Sequence, residues 1–259
     1  MRRTPPVLAP DGRPQHHAQV GVPTPVMKRI LLLTFVLAAA LALPQSASAR
    51  IIELGGTADP ASLNCPGTTE APCVAAVRMT GYQGRASGGP ENPFYIRRDG
   101  HLVAFTLQLA KPTEQEIDYF NDNFDAPSLA RISVLRRGTT RKTRLDHRLI
   151  TQSERFELNP YFGSKPTFVF DRPIPVKKGN WIALTVPTWA PLLATPVARA
   201  NWWRSSRPKG SCEPPESLRQ FALEDLREVA QFGCTYHSAR LLYSVTYVPS
   251  NHVTNEPAG

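Results

Sequence analysis

No apolar run in this chain is long enough to cross a membrane as a helix. The longest, residues 30–43, holds 14 residues, whereas a helical span needs about 20. The run begins behind two basic residues and is followed by an A-x-A pattern at residues 47–49, which signal peptidase accepts. These features predict a cleavable export signal at residues 27–49, with cleavage after Ala49; an uncleaved N-terminal anchor is the alternative.

The rest of the chain lacks a second long apolar run, an internal repeat and a low-complexity tract. We therefore expect residues 50–248 to form one domain without a transmembrane anchor, followed by a disordered tail at residues 249–259. Residues 1–26 are rich in Pro and His and have no apolar periodicity, so we interpret them as a mis-called or disordered extension. The mature protein is expected outside the cell, either secreted or held at the cell surface by contacts.

A strong charge of either sign is also absent from the mature part. The whole chain has 30 basic and 21 acidic residues, and residues 1–49 hold five of the basic and one of the acidic ones. The remaining net charge of about +5 is too small for a dedicated nucleic-acid binder. Outside a cell it favours acidic or cell-wall glycans, teichoic-type polymers or lipid headgroups as partners, although a soluble surface without a partner fits equally well.

Closely spaced cysteine pairs of the C-x-x-C kind are missing, which argues against a zinc site, and we predict no metal and no cofactor. The four cysteines, Cys65, Cys73, Cys212 and Cys234, all follow the predicted cleavage site. An even number in an exported chain predicts two disulfides, for which three pairings are possible. We favour Cys65–Cys73 with Cys212–Cys234, because both close short loops.

Helical periodicity is rare in this sequence. Many short segments instead alternate apolar and polar residues and are broken by Gly, Pro or Asn, as antiparallel strands are. The pattern predicts an all-β fold, a two-sheet antiparallel sandwich of the jelly-roll type with two short helical insertions. An immunoglobulin-type sandwich is the alternative, and a parallel α/β fold is disfavoured because helices do not alternate with strands.

Two segments are expected to supply the helical insertions. Thr113 is followed three residues later by Glu116, which is a capping-box pattern at a helix start. Residues 217–229 begin with Ser217 and Gln220 at the same spacing and carry apolar residues at roughly helical intervals, so they predict a second helix.

Tryptophan and tyrosine side chains are the first candidates for ligand binding. In one predicted strand, strict alternation puts Trp181 and Trp189 on the face opposite to the aliphatic residues. Of the adjacent Trp202 and Trp203, one should lie outside the core. Outward aromatic rings stack on the apolar faces of sugars, so Trp189, Trp202 and Tyr161 are the predicted stacking residues. Packing of these rings beneath loops is the alternative.

A basic hairpin supplies the second set of candidates. Residues 131–148 contain seven basic residues and one acid, and predicted strands at 132–137 and 142–150 flank Gly138. Alternation in the second strand places Arg144 and Arg148 on one face, where they would contact an anionic polymer. A solvated sheet face without a ligand is the alternative.

Evidence for catalysis is thin. The chain has no G-x-S-x-G elbow and no obvious nucleophile with a base. Glu154, Glu157 and Asp171 near predicted strand ends are candidate carboxylates for an enzyme acting on polysaccharide, but the required separation is not readable from sequence. Around Asp122, residues 121–125 offer oxygen ligands for calcium but lack the Gly and Glu of an EF-hand, so a solvated helix end fits as well. No catalytic residue is assigned.

Two segments carry a resemblance to a protein family. Residues 184–191, LTVPTWAP, and the segment from Cys234 to Tyr243, with Tyr236 and Arg240, resemble stretches of exported actinobacterial proteins of unassigned function. The resemblance implies a secreted β-sandwich and supplies no activity. The sequence thus favours a secreted or surface-associated, non-catalytic module that binds glycans. An enzyme of the glycoside hydrolase or lyase type and a structural envelope protein are the alternatives.

Overall fold

The computed structural model describes residues 50–56 and 62–250 of the chain. The predicted extension, the export signal and most of the predicted tail lie outside these residues. The last strand continues to Pro249, so the described fold extends one residue beyond the boundary predicted at residue 248.

The described residues form fourteen strands, one α-helix and two 3₁₀ turns. The strands are β1 (Ile52–Leu54), β2 (Ala76–Arg85), β3 (Gly100–Leu107), β4 (Leu129–Arg137), β5 (Asp146–Gln152), β6 (Phe156–Glu157), β7 (Thr167–Val176), β8 (Asn180–Ala190), β9 (Leu193–Ala194), β10 (Trp202–Ser205), β11 (Val229–Gln231), β12 (Cys234–His237), β13 (Arg240–Leu241) and β14 (Tyr243–Pro249). Helix α1 spans Glu114–Phe124, and the 3₁₀ turns span Asn159–Tyr161 and Glu216–Leu218.

Two antiparallel sheets make up the sandwich, and their strand order is that of a jelly roll. The first sheet has the order β1-β14-β3-β7, and the second has β5-β4-β8-β2 at its centre. The second sheet is extended by β11 beside β5 and by β10 and β12 beyond β2. The first strand pairs with the last, and eight strands are divided equally between two sheets, as in a double Greek key. The predicted all-β sandwich is confirmed.

The main core lies between the two sheets and follows the period-two alternation of the strands. Phe105 and Val245 from the first sheet meet Ile132, Ile182 and Leu184 from the second, and all five are fully buried. Each fully buried aliphatic or aromatic side chain contributes about 1.5–3 kcal/mol relative to exposure. The alternation of apolar residues seen in the sequence therefore sets the inner faces of the sheets.

The outer face of the second sheet is covered as well. Helix α1 packs over one part of it, in a cluster with Val77 and Trp189, and residues 206–233 pack over another, in a cluster with Tyr82 and Trp181. As a result, every residue of β8 is buried. Strand β8 is therefore buried on both faces, although its sequence alternates as in a strand with one exposed face.

A row of hydrogen-bonded side chains crosses this covered face. The Thr185 hydroxyl bonds to the Thr80 hydroxyl at 2.8 Å and to the Ser133 hydroxyl at 2.6 Å, and the Gln152 amide donates to Ser133 at 3.0 Å. The row is closed by Leu223, whose N–H donates to Thr80 at 2.9 Å and whose carbonyl accepts from Gln152 at 2.7 Å. Because buried polar groups need partners, this circuit fixes where residues 206–233 dock.

The two predicted helices have different outcomes. The first is confirmed, since both capping-box hydrogen bonds join Thr113 and Glu116 at the start of α1. The second is wrong, because only Glu216–Leu218 is helical, as one 3₁₀ turn, and the chain then extends into β11. The Phe221 N–H donates to the Arg78 carbonyl on β2, and the Leu223 N–H donates to the hydroxyl row. These tertiary bonds outweigh a weak helix preference.

Both favoured disulfides are present. Cys65 is bonded to Cys73 and Cys212 to Cys234, over sequence separations of 8 and 22 residues. The second bond ties the segment that covers the second sheet to β12, at the edge of that sheet.

Helix α1 is too short and too polar to span a membrane, and the described residues contain no other helix that would.

Candidate functional site

Three connections meet at one end of the sandwich and make it basic. They are the β2–β3 loop, the β4–β5 turn and the β7–β8 turn; residues 91–99, 136–148 and 177–178 within or beside them hold ten basic and three acidic residues. Asp99 joins two of these connections, because its carboxylate accepts from the Lys177 ammonium at 3.0 Å and from the Lys178 N–H at 2.8 Å. It therefore holds the β2–β3 loop to the β7–β8 turn.

An open pocket of about 650 Å³ lies between these connections. We call it the arginine pocket, because Arg97, Arg137 and Arg144 line it together with Tyr95 and Trp181. Among the described residues, no carboxylate oxygen lies within 4 Å of a nitrogen of these three arginines. Within the part of the chain that the structure describes, no acid therefore neutralises the charge of these guanidinium groups.

The β4–β5 turn positions two of the three arginines. A side chain at Gly138 would place its Cβ 2.3 Å from the Thr143 carbonyl oxygen, so only glycine lets the turn close here. The closed turn allows the Arg137 Nε–H to donate to the Arg144 carbonyl. The hydroxyls of Thr140 and Thr143 bond to each other at 2.8 Å and fix the tip.

Aromatic rings form the floor of the arginine pocket. The Arg137 guanidinium carbon lies 5.9 Å from the centre of the Trp181 ring, which is a cation–π distance. Tyr95 meets Trp181 edge-on, with ring centres 5.4 Å apart. The Trp181 side chain is almost fully buried, whereas Tyr95 is partly exposed. A ligand would therefore meet Tyr95 more readily than Trp181.

A neutral histidine lies in the aromatic layer below. His147 is fully buried, with its ring 4.4 Å from Phe232 and 5.5 Å from Tyr82. Burial lowers the pKa of His147 from 6.5 to about 4, and the positive charges of Arg137 and Arg204 act in the same direction. The hydrogen bond between its Nδ1 and a backbone carbonyl opposes this shift without overcoming it.

The prediction that Trp189 faces outward is wrong. Its side chain is fully buried beneath α1, where its ring stacks on Phe120 at 4.9 Å and its Nε1–H donates to the Asn121 side chain at 3.0 Å. Alternation did place Trp189 on the face opposite to the main core, but the helix covers that face. A stacking role for Trp189 would require α1 to leave.

The other predicted contact residues are exposed or partly exposed, but they do not come together. Trp202 lies flat over Gly84, and Tyr161 lies in the first 3₁₀ turn with its ring edge-on to a core phenylalanine. Arg148 lies exposed on β5, whereas Arg144 lies in the turn before β5, because the strand begins at Asp146 and not at residue 142. The prediction that Arg144 and Arg148 share one strand face is thus wrong. Of the predicted contact residues, only Arg144 lines the arginine pocket.

Two of the candidate carboxylates line a separate open pocket of about 440 Å³. Glu154 and Asp171 both border it, and one Glu154 oxygen accepts from the Asp171 N–H at 3.0 Å. Glu157 lies on β6 and does not line this pocket.

Two of the side chains around Asp122 that were candidate calcium ligands bond to other protein groups instead. The Asn121 side-chain oxygen accepts from the Trp189 ring, and Asp125 pairs with Arg78 at 2.8 Å. The described residues contain no group of three or more acidic, His or Cys side chains arranged to hold a metal.

Sequence reasoning missed Arg97 and Tyr95 as partners of the basic hairpin. They lie about forty to fifty residues upstream of Arg137 and Arg144, and backbone hydrogen bonds between residues 94–96 and the start of β8 hold them beside the hairpin. The one local signal for them is their spacing of two residues, which would put both side chains on the same face of an extended segment.

Comparison of the chain with protein-family models, curated proteins and solved structures gives no match. The resemblance to exported actinobacterial proteins stays a prediction.

Proposed function

We propose that this protein is an exported, non-catalytic binding module that holds an acidic glycan in the arginine pocket. The observation that carries the proposal is the set of three arginines around one open pocket, none of which has a carboxylate partner within residues 50–56 and 62–250. Desolvating an unpaired charge is costly unless an opposite charge meets it, so an anionic ligand suits this surface.

Two further features favour a sugar over a small compact anion. The pocket is open and its volume of about 650 Å³ exceeds what a single inorganic ion needs. Tyr95 adds a partly exposed ring, and such rings stack on the apolar face of a sugar while its polar edge meets the arginines. The predicted export signal and the two disulfides favour an oxidising, extracellular setting, where acidic glycans are found.

The test is binding of short galacturonate oligomers by calorimetry, compared with neutral galactose oligomers of equal length. Arg144→Gln and Arg97→Gln each remove one charge from the pocket and should weaken binding about tenfold or more, because a charged hydrogen bond contributes about 1.5–3 kcal/mol. Arg199→Gln is the matched control, since Arg199 is an exposed arginine that does not line the pocket. Equal losses of affinity in all three variants would mean that the oligomers bind by general charge attraction and not in the arginine pocket. If no acidic oligomer binds, the proposal is refuted.

A polysaccharide-acting enzyme is the second candidate, favoured by the shared pocket of Glu154 and Asp171. It predicts the release of new reducing ends from a polysaccharide, abolished by Glu154→Gln or Asp171→Asn and retained by Glu157→Gln. If the oligomers neither bind nor are cleaved, the structural envelope role becomes the better hypothesis.

A further inference from the structure

A second pocket lies beside the arginine pocket and differs from it in chemistry. Its volume is about 270 Å³, and its lining is mostly apolar. We call it the apolar pocket; it is formed by β1, the β2–β3 loop and β14, and its apolar lining includes Ile52, Leu54, Ala86, Pro90, Pro93 and Ile96.

The two pockets adjoin at the β2–β3 loop. Asn92, Tyr95 and Arg97 line both of them. A ligand that crosses this boundary would pass the partly exposed Tyr95 ring and the Arg97 side chain, whose aliphatic stem is apolar and whose head is charged. An apolar site and a cationic site are thus next to each other.

The acidic residues of the apolar pocket already have partners. Glu91 pairs with Arg85 at 3.4 Å, and Glu53 accepts from the Thr246 hydroxyl at 2.9 Å. Neither is buried, so both carboxylates lie toward solvent. What the pocket offers a ligand is therefore apolar surface, from which displacing water is favourable.

We propose that the glycan held by the arginine pocket is the head group of an acidic glycolipid, whose alkyl chain enters the apolar pocket. This inference rests on the proposed function and names its ligand class. A water molecule occupies about 30 Å³ in the liquid, and a methylene is of similar size. The volume of 270 Å³ therefore accommodates roughly eight carbons of one chain.

The experiment compares three small probes below their micelle-forming concentrations: methyl glucuronide, octyl glucuronide and octyl glucoside. Burial of one methylene tightens binding by up to about fourfold, so burial of half the added chain should make octyl glucuronide bind about 100-fold more tightly than methyl glucuronide. Octyl glucoside lacks the carboxylate and should bind at least about tenfold more weakly than octyl glucuronide, because it leaves the arginines without a charged partner.

A filling variant locates the chain. Ile52→Phe places a larger side chain in the apolar pocket and so reduces its free volume. The variant should lose most of the tighter binding of octyl over methyl glucuronide, while its affinity for methyl glucuronide stays unchanged. Ile117→Phe, at a partly buried isoleucine on α1 away from the pocket, is the control and should preserve that advantage. Both variants are checked for folding by their unfolding transitions.

The outcomes separate the two proposals. Equal affinities for methyl and octyl glucuronide overturn the glycolipid inference and leave the acidic-glycan proposal standing. If neither glucuronide binds while the galacturonate oligomers do, the glycolipid inference is overturned and the acidic-glycan proposal stands; if the galacturonate oligomers also fail to bind, both are refuted. Octyl glucoside binding as tightly as octyl glucuronide overturns the inference in another way, since the chain would then bind without the arginines.

Discussion

Lowering the pH from 7 to 5 should destabilise this protein through one side chain, His147. The ring is fully buried, its Nε2 has no hydrogen-bond partner among the described residues, and the positive charges of Arg137 and Arg204 lower its pKa further. A proton added there would create a buried cation that the positive charges of Arg137 and Arg204 repel. The folded protein therefore resists protonation of His147.

The magnitude follows from linkage between protonation and folding. The pKa of His147 is 6.5 in the unfolded chain and about 4 in the folded protein. Between these values the unfolded state binds more protons, so stability falls as the pH drops from about 6.5 to about 4 and is retained above 6.5. Over pH 7 to 5 the loss from this residue is about 2 kcal/mol, a sizeable part of the roughly 5–15 kcal/mol that stabilises a domain.

Urea unfolding followed by tryptophan fluorescence at pH 7, 6 and 5 measures this loss. His147→Phe replaces the titrating ring with an apolar one and should remove about 2 kcal/mol of the pH dependence, and His147→Gln serves if phenylalanine does not fit. His237→Gln, at an exposed histidine, is the control and should keep the wild-type slope. The other titrating groups are the same in wild type and variants, so their contributions cancel in the comparison. Equal losses for wild type and His147→Phe would refute the reasoning.

Two further predictions concern the covered face of the second sheet. Trp189→Ala should cost about 3–5 kcal/mol of stability, because it empties a fully buried site; a loss no larger than that of Trp202→Ala, at a partly exposed tryptophan, would contradict the placement of Trp189 under the helix. Thr185→Val breaks the buried hydroxyl row and should cost about 1–3 kcal/mol by leaving its partners unsatisfied. Thr106→Val breaks an exposed hydroxyl pair on the first sheet and should cost much less, as denaturant titration would show.

Sequence alternation was sufficient for the sandwich but not for its exposed surface. The period-two pattern correctly predicted which residues of β8 face the main core, such as Ile182 and Leu184. The same pattern correctly placed Trp181 and Trp189 on the opposite face of the strand. It carries no information, however, about which part of the chain covers that face. That depends on the docking of residues 206–233 and of α1, which are distant in sequence from the strand.

Local signals succeeded where the chain satisfies its own hydrogen bonds. The capping box at Thr113 predicted α1, because both partners lie within four residues. The similar pattern at Ser217 failed, because the backbone of the following residues bonds to β2 and to the hydroxyl row instead. Arg144 was found within a local run of basic residues, whereas Arg97 is recruited by tertiary structure alone.

The covering of the sandwich also restricts where a sugar can stack. On the first sheet, every Phe and Tyr of its four strands belongs to the main core, so those strands have no outward Phe, Tyr or Trp. On the second sheet, the outward rings of Tyr82, Trp181 and Trp189 lie beneath residues 206–233 or α1, and only Trp202 stays partly exposed, at Gly84. A flat aromatic sheet face of the kind the sequence suggested is thus absent from the described strands. At the loop end, Tyr95 lies beside arginines that have no carboxylate partner in the described part of the chain, so one pocket combines a partly exposed ring with uncompensated charge, and we propose binding there for this reason.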